Sequence, residues 1–311
     1  MNREGGISLD RQLVPVRLSN INYTGQTKIP PGGSIVMKKI DFDFQTVDGL
    51  KLTGRGWLPD TTPKALICLV HGLGEHSGRY RHLADRLVQA GYGLLGFDLR
   101  GHGISQGQRG HAPGLPALMD DISRFIHEVA ERLPDTPHFL YGHSMGGTLA
   151  INYVLRMHPD MAGVIVTAPF LQPAFKPPAW KLLLGKGMYR LWPTLSLPNG
   201  INPTHLARDP EVVRTYIRDA LVHDRLSARL GIEILNAGLW AMEHASEFTL
   251  PLLLMQGGAD HIVSAEACRE FASKVDAHCN FKLWDGCYHE IHNEPEKEAV
   301  FDFLLEWLNR N

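Results

Sequence analysis

The run Gly142-His143-Ser144-Met145-Gly146 is a G-x-S-x-G pentapeptide. A serine hydroxyl becomes a useful nucleophile only when a neighbouring base takes its proton. A serine on a sharp strand-to-helix turn is exposed for that purpose, and glycine is needed on both sides because side chains there would clash. Phe139-Leu140-Tyr141 reads as the strand before the turn, and Gly147-Thr148-Leu149-Ala150 as the helix start after it. Among 16 histidines, His289 best suits the base. It follows the last predicted strand at its carboxyl end, the edge where open α/β sheets bind ligands. His143 is expected to point away from the turn into the core, and His292 to play an ordinary surface role. In enzymes built on such a turn, the acid falls between serine and histidine in chain order. Asp260 fits that position, after a buried strand running from Pro251 through Gly257-Gly258. Its rival Asp285 adjoins Gly286 and lies too near His289 to approach the ring well. Attack on an ester carbonyl creates an oxyanion, which pre-aimed N–H groups stabilise. The expected donors are the backbone N–H of Met145, just after the serine, and of Leu73 in the loop His71-Gly72-Leu73-Gly74.

The elements that must carry these residues alternate along the chain. Ile40-Asp41-Phe42-Asp43-Phe44 has period two, Asp48-Gly49 offers a turn, and Leu50-Lys51-Leu52 resumes, which predicts an antiparallel hairpin at a sheet edge. Ala65–Val70 and Tyr92–Phe97 are apolar throughout, as strands buried on both faces are. Further strands are predicted at His138–Tyr141, Ala162–Ala168, Leu250–Met255 and Phe281–Trp284. Helices are predicted at Tyr80–Ala90, Leu118–Leu133, Ser144–Met157, Ala265–Val275 and Glu294–Asn309. The eight strands and their helices imply an α/β fold, a mostly parallel eight-stranded sheet flanked by helices. Between 171 and 247 the rhythm breaks into proline-punctuated helical stretches with no clear strand. The chain therefore divides into an arm (1–37), a core (38–170 and 248–311) and an inserted helical cap (171–247).

Composition narrows the function. With 311 residues, 44% hydrophobic and 21% charged, the chain is ordinary globular material. A net charge of -2 argues against a nucleic-acid partner, which usually demands a basic face. Cys68, Cys268, Cys279 and Cys287 form no C-x-x-C pair and no disulfide framework, and they read as packed free thiols. The first forty residues hold no apolar signal region, and no run approaches the ~18 residues of a membrane span. The expected location is cytoplasmic.

Taken together, the motifs resemble those of the monoacylglycerol lipase and lysophospholipase family of α/β-hydrolases. The likeness is carried by His71-Gly72-Leu73-Gly74-Glu75-His76-Ser77-Gly78-Arg79-Tyr80, by Phe97-Asp98-Leu99-Arg100-Gly101-His102-Gly103, by Tyr141 to Gly147, by Gly258-Ala259-Asp260 and by Gly286-Cys287-Tyr288-His289-Glu290. It spans roughly Phe42 to Leu308. The resemblance implies the α/β-hydrolase fold, cofactor-free and metal-free hydrolysis of monoacylglycerols or similar acyl esters, and a helical cap over the site. It also implies that Glu75, His76 and Arg79 form a polar cluster beside the oxyanion loop, holding the loop or touching substrate. Where some vertebrate members carry a cysteine three residues past the acid, this chain has Val263, so sensitivity to thiol reagents is not carried over.

The cap supplies a substrate clue. Phe175, Trp180, Leu182-Leu183-Leu184, Met188, Tyr189, Leu191 and Trp192 are interspersed with Lys176, Lys181, Lys186 and Arg190 and no acid. Such a segment suits an acyl pocket and peripheral contact with an anionic lipid surface. A lysophospholipase, a short-chain carboxylesterase or a thioesterase would use the same three residues. A non-catalytic ligand receptor on this fold would bind without turnover. Oligomeric state is left open.

Overall fold

A computed structural model describes residues 22–27, 37–175 and 178–311, without the side chains of 22–27, Lys181 and Leu182. Its strands are β1 (Asn22–Thr27), β2 (Met37–Gln45), β3 (Lys51–Leu58), β4 (Leu66–Val70), β5 (Gly93–Phe97), β6 (His138–His143), β7 (Gly163–Thr167), β8 (Ser196–Pro198), β9 (Arg225–Ser227), β10 (Leu252–Gly257) and β11 (Cys279–Trp284). Its α-helices are α1 (Arg81–Gln89), α2 (Leu115–Arg132), α3 (Met145–Met157), α4 (Ala179–Leu191), α5 (Pro210–Arg218), α6 (Ala228–Glu243), α7 (Ala265–Val275) and α8 (Lys297–Leu308).

The main sheet runs in the order β1-β2-β3-β5-β4-β6-β7-β10-β11. The six strands from β5 to β11 in that order pair in parallel, while β1, β2 and β3 are antiparallel. All eight expected strands are present. The ninth, β1, lies inside the stretch read as an arm and covers the outer edge of the β2–β3 hairpin, so the hairpin is not itself the edge. Asn-Tyr-Thr-Gly-Gln-Thr has no apolar alternation to announce a strand. It forms because the open side of β2 offers unpaired N–H and C=O groups, and its register slips between Tyr23 and Gln26.

Burial follows the pleat. Leu66, Cys68 and Val70 join the apolar layer under α2, α3 and α7, whereas Ile67 and Leu69 join the layer under α1 and α8. Alternate residues of one strand thus feed two cores, which is why every position of β4 is apolar. Residues 171–247 depart from expectation in one respect: β8 and β9 form a short antiparallel ladder. Three residues apiece are too few to show a period.

The register sets up the site. Val70 at the end of β4 pairs with Gly142 near the end of β6, so the loop after β4 lies beside Ser144. Gly257 at the end of β10 pairs with Trp284 at the end of β11, so the loops of Asp260 and His289 leave from adjacent strand ends.

Candidate active site

Ser144 sits at the junction of β6 and α3 with φ 53° and ψ -120°, a left-handed conformation that costs a side-chain-bearing residue on the order of 1–3 kcal/mol. Its neighbours explain how the strain is accommodated. A Cβ at Gly142 would lie 2.4 Å from the Gly146 carbonyl oxygen, and one at Gly146 would lie 2.1 Å from that of Val70. Only glycine fits at either place, and the Ser144 N–H is held by the Thr167 carbonyl at 2.9 Å.

The three residues named from the sequence come together. The Ser144 hydroxyl is 2.9 Å from His289 Nε2, and His289 Nδ1 is 2.8 Å from Asp260 Oδ2. With Nδ1 donating to the carboxylate, Nε2 is left as an acceptor for the serine proton. Asp260 is further fixed by the N–H groups of Ile262 and Val263 at 2.8 and 3.0 Å, and by Gln256 Nε2 at 2.9 Å. Burial disfavours its charge, but His289 and those N–H groups outweigh it and hold the carboxyl below its usual range. Burial likewise works against a charged His289. Asp260 overcomes it, with smaller help from Glu290 and Glu75, so the imidazole titrates above an ordinary histidine.

The loop after β4 is held by groups the sequence placed there. The Gly72 N–H donates to Glu75 Oε1 at 2.6 Å, Leu99 N–H donates to His71 Nε2 at 2.9 Å, and a Cβ at Gly72 would stand 3.2 Å from that of Ser144. The N–H of Leu73 meets no acceptor among the described residues. Met145 opens α3, so its N–H has no intrahelical partner. Both amides are available beside the serine.

The expected polar cluster is only partly one cluster. Arg79 donates to Glu75 Oε2 at 2.7 Å and forms a two-pronged pair with Glu290 at 2.7 Å on each prong. Both carboxylates are buried. Burial opposes their ionisation, and the Arg79 guanidinium prevails, holding each below the usual carboxylate range. His76 stands apart, with Nε2 2.9 Å from Asp219 of the insertion. Sequence reasoning gave Glu290 no role, although a carboxylate next to His289 is a signal in itself.

Of the two other nearby histidines, one meets expectation and one differs. His143 is buried in the core as expected, its ring 4.9 Å from that of His289 and its Nδ1 2.9 Å from Thr167 Oγ1. His292 is buried rather than at the surface, stacked 5.0 Å from the Tyr80 ring and edge-on to that of His143 at 4.8 Å. Burial pushes both down to about 3, so neither competes for the His289 proton, and His143 backs that ring as a neutral one.

This sheet, with a serine on the β6–α3 turn and a histidine and an acid at neighbouring strand ends, is the α/β-hydrolase fold. The model of the family described as "Serine aminopeptidase, S33" matches residues 61–296, and the chain belongs to that family. It is 41% identical over 268 residues to an abhydrolase domain-containing protein of Dictyostelium discoideum, covering 85% of this chain but spanning only 28% of that longer relative. It is 31% identical over 272 residues to the monoacylglycerol lipase of Mycolicibacterium smegmatis, covering 86% of this chain and 96% of that enzyme. The crystal structure of Paleococcus ferrophilus monoacylglycerol lipase superimposes with a TM-score of 0.75 at 36% identity, covering 83% of this chain and 98% of the other.

Proposed function

We propose that the protein is a serine hydrolase that cleaves carboxylic esters of acylglycerols, with monoacylglycerols as substrate, through an acyl-enzyme on Ser144. The observation that carries this reading is the line from Ser144 Oγ through the His289 ring to the Asp260 carboxylate, with contacts of 2.9 and 2.8 Å. Relatives named monoacylglycerol lipase over nearly their whole length support the substrate class. Ser144 Oγ attacks the ester carbonyl as His289 Nε2 takes its proton, and Asp260 stabilises the imidazolium. The N–H groups of Leu73 and Met145 receive the oxyanion. Collapse expels the alcohol, which leaves with the proton from Nε2. Water, deprotonated by the same nitrogen, then attacks the acyl-serine and releases the fatty acid.

Residues 171–247 serve as a cap, inserted between core segments 38–170 and 248–311. Leu183 and Leu191 of α4 and Trp192 just after it are exposed, together with Lys186 and Arg190. Lys176 and the Lys181 side chain lie outside the described residues. An apolar surface ringed by cations suits peripheral contact with a lipid surface. Among the described residues no helix is long and apolar enough to cross a membrane.

Turnover of 1-monoacylglycerols, lysophosphatidylcholine and nitrophenyl esters of graded length tests the reading. Monoacylglycerols should give the highest kcat/KM. Ser144→Ala should lower kcat by about 10⁴- to 10⁶-fold with the fold intact. Wild-type turnover in that variant on any ester would refute the mechanism, and a preference for lysophosphatidylcholine would refute the substrate class.

A further inference from the structure

The insertion reaches the loop that carries His289 at two points. The Glu290 N–H donates to the carbonyl of Leu206 at 2.7 Å. On the other side of His289, the Tyr288 N–H donates to Glu294 Oε1 at 2.7 Å. Glu294 is only 1% exposed, and its charge is met by Arg208 of the insertion. Arg208 Nε donates to Oε2 at 2.9 Å, and the Arg208 N–H to Oε1 at 3.3 Å. The same guanidinium also bonds Glu296. The backbone N–H groups of the residues on either side of His289 are therefore tied to the stretch Leu206-Ala207-Arg208, one directly and one through Glu294, and the first two residues of that stretch are buried.

We infer that Arg208 and Glu294 are a positioning pair through which the insertion sets the imidazole of His289 against Ser144, an inference that rests on the function proposed above. Neither residue touches the reacting atoms. Glu294 fixes the backbone by accepting the N–H of Tyr288, and it can do so as a buried anion only because Arg208 neutralises it. A buried carboxylate stripped of its cation is strongly disfavoured. Without that cation the side chain is driven to turn toward solvent, and the turn releases the bond to Tyr288. The Ser144–His289 contact tolerates little drift, since a misplacement of about 1 Å costs on the order of 10²-fold in rate. The cap region is in this respect a part of the base's scaffold as well as a cover.

The test uses a water-soluble short nitrophenyl ester, which avoids any effect of a lipid surface, and compares equal amounts of protein shown to be folded by circular dichroism. Arg208→Ala and Glu294→Ala should each lower kcat by about 10- to 100-fold with KM within about twofold. Arg208→Lys should recover most of the loss, because it restores the charge. The double alanine variant should be no worse than Glu294→Ala alone, as expected for two members of one unit. If an alanine variant does not fold, Arg208→Lys and Glu294→Gln carry the comparison, with Glu294→Gln the more impaired because its neutral amide no longer pairs with Arg208. Wild-type kcat in a folded Arg208→Ala protein, or a loss confined to KM, overturns the inference. Ser144→Ala assayed alongside separates the two levels. If it is inactive while Arg208→Ala is unimpaired, only the positioning pair fails; if it is active, the proposed function fails first.

Discussion

The two halves of the insertion are built on opposite principles. Residues 202–227 are stitched to the sheet by directional polar contacts. His223 N–H donates to the Gly74 carbonyl at 2.9 Å, Asp219 meets His76 at 2.9 Å, and Ser227 N–H donates to the Gly110 carbonyl at 2.8 Å. The Arg79 guanidinium lies 4.8 Å from the Tyr216 ring centre. Residues 178–192 are attached mainly along one side of α6. Tyr189 OH donates to Glu233 at 2.7 Å, while Leu183 is 70% exposed and Leu191 84%. Hydrogen bonds fix register, and the stitched half touches both loops that flank Ser144. Apolar contact is non-directional, and the exposed half presents a surface of the kind that marks interaction sites. One half suits a geometry that must be held, the other a partner without fixed geometry.

The largest effect should come from unpicking a stitch. Gly74 has φ +79°, and a Cβ there would lie 2.4 Å from the His223 carbonyl oxygen. Gly74→Ala should push residues 219–224 away from the loop bearing Leu73 and lower kcat on a soluble ester by about 100-fold. A folded variant with native kcat would show that the stitching is incidental. Next in size is damage to the exposed half. Leu183→Ser, Leu191→Ser and Trp192→Ser combined should lower the rate on monoacylglycerol in anionic vesicles by about tenfold, while the soluble ester is hydrolysed as before. An equal loss on both substrates would erase the distinction between the halves.

The sequence made one of these halves easier to read than the other, and the site easier still. Ser144 was legible because Gly142 and Gly146 leave a local trace of a steric demand. Asp260 and His289 were legible because they follow apolar strands whose ends must share an edge. The apolar and basic character of α4 could be read directly from its residues. The stitches could not. Arg208 and Glu294 lie 86 residues apart, and nothing local in Leu-Ala-Arg-Asp marks its arginine as a partner of the histidine loop. His292 is buried because Tyr80, more than two hundred residues earlier, stacks on it, and no local pattern carries that fact. β1 was missed for the related reason that its strand character comes from the vacant edge of β2.

Acid should destabilise the protein through its buried histidines. Burial pushes His143 and His292 down to about 3, and it also lowers His71 and His102. His143 and His292 stay neutral in the folded chain down to about pH 3 and take up a proton near pH 6.5 once unfolded, and His71 and His102 act in the same direction. Below that pH the unfolded state therefore binds more protons, and stability falls. His143 and His292 each remove about 1.4 kcal/mol per pH unit until the folded forms titrate near pH 3. His289 has the opposite sign. Its raised pKa adds stability below pH 6.5, which is lost as pH rises through the folded value, so it offsets part of one histidine's effect. Urea midpoints measured from pH 7.5 to 4.5 should fall steadily below about 6.5. A flat profile would mean that the buried rings are charged or solvated. In the proposed mechanism His289 acts as a neutral base, so the acid limb of kcat/KM should be displaced above pH 6.5.

The smallest expected effect is near silence towards thiol reagents. Cys287 lies two residues before His289 but is 1% exposed, its Sγ 3.8 Å from Arg208 and from Glu296. Burial, with the Glu296 and Glu294 carboxylates, pushes it up to about 11, and burial pushes Cys68 and Cys279 up to about 12. Thiolate is the reactive form, so N-ethylmaleimide at neutral pH should cost the native protein less than about twofold in activity. The comparison sharpens when the stitched half is loosened. In Arg208→Ala, Cys287 loses the guanidinium that stands 3.8 Å from its Sγ; the gain in access should outweigh the loss of a cation that favours the thiolate, and mass spectrometry should find it alkylated faster than in the native chain. The Leu183, Leu191 and Trp192 variant should leave its rate unchanged, since the described contacts of that thiol, Arg208 and Glu296, lie outside the exposed half. Equal alkylation of Cys287 in both variants would mean that the insertion moves as one body.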